Sequence, residues 1–204
     1  MSTRATRTIG DLSALPGSAN GPTHLVWWGN FGFMLIEGMV FVLAAGSCLY
    51  LAAQGSSWPP KGDAPPDLLW GAVFTVMLVA SEVPNLLLLR ASKRKQARAT
   101  RWLALLMVLL GFVLTGLRAA EFAHLGVGWD KDAYGSVIWM LMVLHTTHVV
   151  TELGETGVQT LWLFTHEIGD DQFADMEDDS NYWTFVVVAW LPLYGLVYWL
   201  PRLL

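Results

Sequence analysis

The sequence predicts an all-α integral membrane protein: a five-helix transmembrane bundle, N-terminus cytoplasmic and C-terminus external. Three observations predict it. Across 204 residues, 54% are hydrophobic and 14% charged, with a mean hydropathy of +0.45, whereas an ordinary soluble domain is about 45 to 50% apolar and about 25% charged. Five apolar runs reach the roughly 20 residues that a membrane-crossing helix needs, and they are too long for barrel strands. Finally, six of the twelve Lys and Arg fall within residues 90–101, which the positive-inside rule places in the cytoplasm.

The elements follow in chain order. In residues 1–24, Arg4 and Arg7 precede IGDLSALPGSANGPTH, which lacks the continuous apolar core of a secretory signal. This stretch reads as a cytoplasmic tail, with the first span retained, and residues 25–204 read as one membrane domain. The first span covers 25–53. Within it Glu37 lies twelve residues past Leu25, roughly 18 Å along a helix and near the middle of a roughly 30 Å hydrocarbon core. A carboxyl there must be protonated or hydrogen-bonded, so Glu37 either pins helices together or handles protons. QGSSWPPKGDAPPD, with four prolines and two glycines, cannot continue a helix and forms an external loop.

The second span covers 68–89. Its Glu82 precedes Pro84, which is expected to kink the helix; Glu82 is either a polar group packed at the kink or a functional carboxylate. RASKRKQARATR, residues 90–101, is the cytoplasmic cation cluster. The third span, 102–122, ends with Arg118 and Glu121 three residues apart, the spacing of a structural ion pair. An external loop leads to the fourth span, 135–164, where His145, His148, Glu152, Glu155 and Gln159 fall within about an 80° arc at 100° per residue. That stripe faces protein, as an interhelical polar network or as metal ligands of the kind found in carboxylate-bridged bundles.

Residues 165–181 are expected to be a cytoplasmic loop. Glu167, Asp170, Asp171, Asp175, Glu177, Asp178 and Asp179 stand there without a Lys or Arg. The loop is either a solvated connector or a surface that collects protons or docks a basic partner. The fifth span covers 182–200. Counting Arg4 and Arg7, eight of the twelve cations lie on the cytoplasmic side of this arrangement. Nine tryptophans fall near helix ends, where their rings favour the interface, and Trp139 and Trp190 lie deeper. Cys48 is the single cysteine, so there is no disulfide framework, CxxC site or CxxCH haem attachment. The net charge of −5 offers no basic face to nucleic acid.

Five segments, in order, resemble subunit III of the haem-copper respiratory oxidases. GFMLIEGMVF around Glu37 is similar to the family's G-M-x-L-F-I-x-S-E-x-x-F-F, and Trp58-Pro59-Pro60 followed by Gly62 resembles its W-P-P-x-G. RAAEF, ending in Glu121 and Phe122, resembles Q-x-x-E-Y, while Tyr134-Gly135-Ser136 with His145 and His148 resembles Y-G-S followed by H-G-L-H-V. YWTFVVVAWLPLYGLVYWL resembles Y-W-H-F-V-D-V-V-W-L-F-L-Y-x-x-x-Y-W-W, with Thr184 and Val187 in place of the family's His and Asp. The family has seven helices, and the resemblance runs over its last five, from about Trp27 to Leu200. No family counterpart is carried over to Glu152 or Glu155.

The resemblance implies a non-catalytic subunit of a proton-pumping terminal oxidase, with five-helix forms occurring among bacterial quinol oxidases and hence the inner membrane of a bacterium. It implies packing against catalytic subunit I and other subunits, with support for proton uptake. No haem, copper, catalytic or metal-binding residue is assigned to this chain; haem and copper belong to the partners, and membrane phospholipid is a candidate ligand in view of the family's lipid-filled cleft. Under this reading Glu37, Glu121, His145, His148 and Glu152 are proton-related or structural buried groups, and Asp170, Asp171, Asp175, Glu177, Asp178 and Asp179 form a proton-collecting surface. Two alternatives stand beside it: the related accessory protein of nitric oxide reductase, and a small proton or ion transporter, whose inverted repeats and broken helices are not visible here.

The topology is directly testable. A reporter fused after Leu204 is expected to be active only on the external face, and cytoplasmic activity there would overturn the five-span arrangement.

Overall fold

The computed structural model describes residues 25–55 and 57–204, so the tail read in residues 1–24, with Arg4 and Arg7, lies outside the described residues. The architecture is all-helical: α1 (Leu25–Gln54), α2 (Leu68–Lys93), α3 (Ala97–Ala123), α4 (Ala133–Thr165) and α5 (Asp170–Tyr194). α5 continues through a π-helical turn, Gly195–Trp199, into the short α6, Leu200–Leu203. Five helices are long and apolar enough to cross a membrane, and there is no strand among the described residues.

The first four helices extend at most five residues beyond the expected spans, but the fifth begins at Asp170, twelve residues before the expected position. The acidic segment is therefore largely helix, and the connector shrinks to residues 166–169. Three local causes account for this. The Gln172 side chain accepts a 2.8 Å hydrogen bond from the Gly169 N–H, and Asp170 and Asp171 occupy the first turn, where carboxylates complement the helix dipole. Phe173, Met176 and Ser180 also continue the buried seam of Trp183, Val187 and Trp190.

The cation cluster is likewise mostly helical. α2 closes in a Schellman arrangement, with Lys95 N–H on Ser92 O at 2.8 Å and Gln96 N–H on Ala91 O at 3.0 Å. Lys95 takes the left-handed conformation (φ 52°) that glycine usually supplies, and its ammonium meets Asp170 at 2.7 Å across the cytoplasmic end of the expected topology. Arg101 donates to the carbonyls of Leu163 and His166 at 2.6 and 3.0 Å, satisfying acceptors that the end of α4 leaves free.

The buried positions of α3, namely Thr100, Ala104, Met107, Gly111, Leu114, Arg118 and Glu121, alternate steps of four and three. That 3.5-residue repeat is the seam of closely packed helix pairs. α2 packs along α3 and α5, and α4 joins α3 to α5. α1 packs on α4 and α5, and its buried residues are Phe41, Ala44, Cys48 and Ala52.

At the ends assigned outside, two of the resemblance motifs meet. The Trp58 and Tyr134 rings contact edge-on at 4.9 Å. Lys131 donates to Asp63 and holds that carboxyl below the ordinary aspartate value, chiefly through the hydrogen bond. This clasp is complete above the unfolded aspartate value near ~3.9 and is lost as pH falls through the lowered folded one. Asp132 caps α4 by accepting from Gly135 N–H at 2.7 Å, while the Gly128 carbonyl oxygen occupies the space that a side chain at 135 would need.

Gly135→Ala must displace that backbone carbonyl and is expected to lower stability by about 1 to 3 kcal/mol. Gly154→Ala meets nothing within 4 Å and is expected to be stabilising by about 0.5 to 1 kcal/mol through lost backbone entropy in the unfolded chain. Thermal unfolding midpoints in detergent should separate the two variants by sign.

Candidate functional site

The sequence-predicted polar residues divide between two sites. The first is built around Arg118, 1% exposed in the middle of the bundle. Its Nη1 donates to Glu121 Oε2 at 2.8 Å, the pairing that the i,i+3 spacing predicts, and its Nη2 lies 3.0 Å from His145 Nδ1. The guanidinium sits 3.6 Å from the Phe74 ring centroid and 4.1 Å from that of Trp190, within cation–π range. Glu121 also accepts from the Tyr198 hydroxyl. Tyr198 lies in the π-helical turn, a feature that often marks sites where a side chain is re-aimed.

These contacts fix the His145 tautomer. Arginine only donates and a backbone carbonyl only accepts. With Arg118 on Nδ1 and the Val186 carbonyl 3.1 Å from Nε2, the ring is neutral, with its proton on Nε2. His145 is thus a wedge between α3, α4 and α5.

The second site lies between α1, α4 and α5, toward the ends assigned to the cytoplasm. Glu37 Oε2 accepts from the Tyr182 hydroxyl at 2.5 Å, and Oε1 is 3.3 Å from His148 Nε2. His148 Nδ1 is 2.7 Å from the Leu144 carbonyl, so it must carry a proton there. Asn30 Nδ2 donates to the Asp178 carbonyl at 3.0 Å, and Thr156 donates to Asp179 Oδ1 at 2.9 Å. These residues border a space of about 330 Å³, also lined by Glu152 and Glu155.

The stripe of α4 therefore does not act as one unit. His145 and His148 turn to different partners, Glu152 is buried, and Glu155 is exposed and accepts from Gln159 at 3.2 Å. Among the described residues no group of three or more His, Cys, Asp or Glu is placed to hold a metal. The acidic surface also needs correction. Asp170, Asp171 and Asp175 are exposed and Glu177 and Asp178 half-buried, but Asp179 is buried against Thr156 because it falls on the inner seam of α5.

A third polar contact joins α2 to α5. Thr184 donates to Glu82 Oε1 at 2.7 Å, Asn85 Nδ2 donates to the Ser180 carbonyl at 2.9 Å, and Trp183 Nε1 donates to Ser81 at 3.0 Å. Asn85 and Tyr182 escaped the sequence reading because their partners, Ser180 and Glu37, are 95 and 145 residues away. Trp190, read as deep, donates Nε1 to Thr75 at 2.8 Å.

Residues 27–202 match the sequence model of a family described as Cytochrome c oxidase subunit III. Curated relatives include cytochrome c oxidase subunit 3 of Struthio camelus, 31% identical over 149 residues, of Pongo pygmaeus, 33% over 155, and of Latimeria chalumnae, 32% over 157. Each alignment covers 71% of this chain and 56% of the relative, so the chain spans little more than half the length of the curated relatives it matches.

Removing one partner of a buried ion pair strands the other, so Arg118→Ala is expected to destabilise the bundle by about 3 to 5 kcal/mol. Replacing Arg118 and Glu121 together with Met should recover part of that loss. Thermal denaturation of the three proteins in one detergent measures both effects.

Proposed function

The chain belongs to the cytochrome c oxidase subunit III family, and from that premise we propose that it is the non-catalytic third subunit of a proton-pumping terminal oxidase in a bacterial inner membrane. The observation that carries the reading is the family match across residues 27–202, which takes in all five long helices. Oxygen reduction, haem and copper belong to partner subunits. In this chain the two intramembrane histidines are three residues apart on one helix and engaged elsewhere, an arrangement that cannot clamp opposite faces of a haem.

The chain's own contribution is a rigid body beside catalytic subunit I and an acidic cytoplasmic end that favours proton uptake. Asp170, Asp171 and Asp175 are exposed on the first turns of α5; Asp170 is paired with Lys95, so the field that raises the local proton concentration comes mainly from Asp171 and Asp175. Glu37, held by Tyr182 and His148, fixes α1 to the bundle and thereby shapes the face offered to the partner.

Two experiments test this. Purified in mild detergent, the chain is expected to bring with it a large haem-containing partner that reduces oxygen. A partner that reduces nitric oxide instead would select the accessory-protein alternative, and a haem-free preparation would select the transporter. Within the complex, Asp170→Asn, Asp171→Asn and Asp175→Asn together are expected to slow turnover by up to about tenfold, the lower end of the gain from field focusing. The loss should be greatest at high pH and low salt, where protons are scarce and screening is weak, with assembly intact. Glu37→Gln should assemble normally and Glu37→Leu poorly.

A further inference from the structure

Among the described residues, the space between α1, α4 and α5 is lined by the carboxyls of Glu37 from α1, Glu152 and Glu155 from α4 and Asp179 from α5, with Asp178 at its border, and by no Lys or Arg. His148 and Tyr182 complete the titratable groups around it. Glu152 is only 2% exposed, yet its Oε1 has no hydrogen-bond partner in the protein. A carboxylate left so would be strongly unfavourable, and a volume of about 330 Å³ has room for on the order of ten waters with polar partners on three sides.

His148 Nδ1 donates to the Leu144 carbonyl, and its Nε2 lies 3.3 Å from a Glu37 oxygen. A divalent metal does not substitute, because no three ligands converge among the described residues.

We propose that this space is a water-filled proton store, with Glu152 as its innermost acceptor, Glu155 at its rim and the Glu37–His148 pair at its far end. In loading, an O–H bond of a protonated pocket water breaks as one forms on Glu152 Oε1. Release reverses the step, and no electrons move. Where the protons go rests on the oxidase reading, but the store itself is a property of this chain.

Infrared spectroscopy of the detergent-purified complex at neutral pH tests it. A solvated glutamate releases its proton near pH ~4.3, so a carboxylic acid C=O band at neutral pH marks a retained proton. Wild type is expected to show such a band, and it should shift promptly in D2O. E152Q, which keeps size and hydrogen bonding, should lose the intensity of one carboxylic acid, whereas E155Q at the exposed rim should retain it. Spectra of wild type and E152Q that superimpose would overturn the proposal. So would a wild-type band that stays unshifted after prolonged D2O exposure, which would mark a dry structural carboxyl. Should E152Q fail to assemble, the isotope arm on wild type still decides. Exchanging Na+ for K+ or ammonium should leave the band in place, and displacement by one of them would identify a different cation and sink the proton assignment. A preparation without a haem partner defeats the oxidase reading and leaves the infrared result standing, so the two failures are distinguishable.

Discussion

The buried guanidinium of Arg118 is the constraint on which the bundle depends. Hydrocarbon offers it no water, so each of its contacts must come from protein. They come from α2 through Phe74, α3 through Glu121, α4 through His145 and α5 through Trp190. Four helices thus converge on one planar cation, and rotating any of them would strand a polar atom. The seam of α3 delivers Arg118 and Glu121 to that centre in the same rhythm that delivers Leu114 and Gly111, so apolar packing and polar satisfaction select one arrangement. Buried ion pairs give little net stability when compared with apolar replacements. Their effect here is to make wrong arrangements costly.

The other half of the bundle meets the same problem with the opposite sign. Around Arg118 a cation is enclosed by a carboxylate, a neutral imidazole and two aromatic faces. Between α1, α4 and α5 the excess among the described residues is of carboxyl groups, and they border a space of about 330 Å³. In the first centre both Nη atoms of Arg118 have partners while its Nε has none; the second is open enough to admit solvent. Rigidity and proton chemistry are thereby placed in separate regions along the bundle, with His145 and His148, one turn apart on α4, belonging one to each.

Much of this was legible in the sequence. Hydropathy located the helices because the spans are long and their composition differs sharply from the connectors, and the i,i+3 spacing disclosed the Arg118–Glu121 pair. The start of α5 was hidden because seven acids between Glu167 and Asp179 outweigh Phe173 and Met176 in any average, although those two residues already carry the helical seam. The stripe on α4 faces protein at His145, His148 and Glu152 but reaches the surface at Glu155, and a wheel cannot show that an 80° arc borders two neighbours. Thr184, which stands in place of the family's His, proves to be a hydrogen-bond donor to Glu82. Cross-helix pairs of this kind need a three-dimensional register that local spacing does not contain.

α1 leans on the bundle through an apolar seam whose buried members are Phe41, Ala44, Cys48 and Ala52, with Met34 and Leu51 partly packed beside them, and in lipid such a seam holds weakly, since acyl chains are equally good company for it. Its inner half is attached instead at Asn30 and Glu37, seven residues and about 10 Å apart along the helix. Two pegs on one face, two turns apart, work as an index. A slide by one turn or a rotation by a quarter of the circumference disengages both together. The identity of those two side chains, more than the many apolar ones around them, encodes where α1 stops.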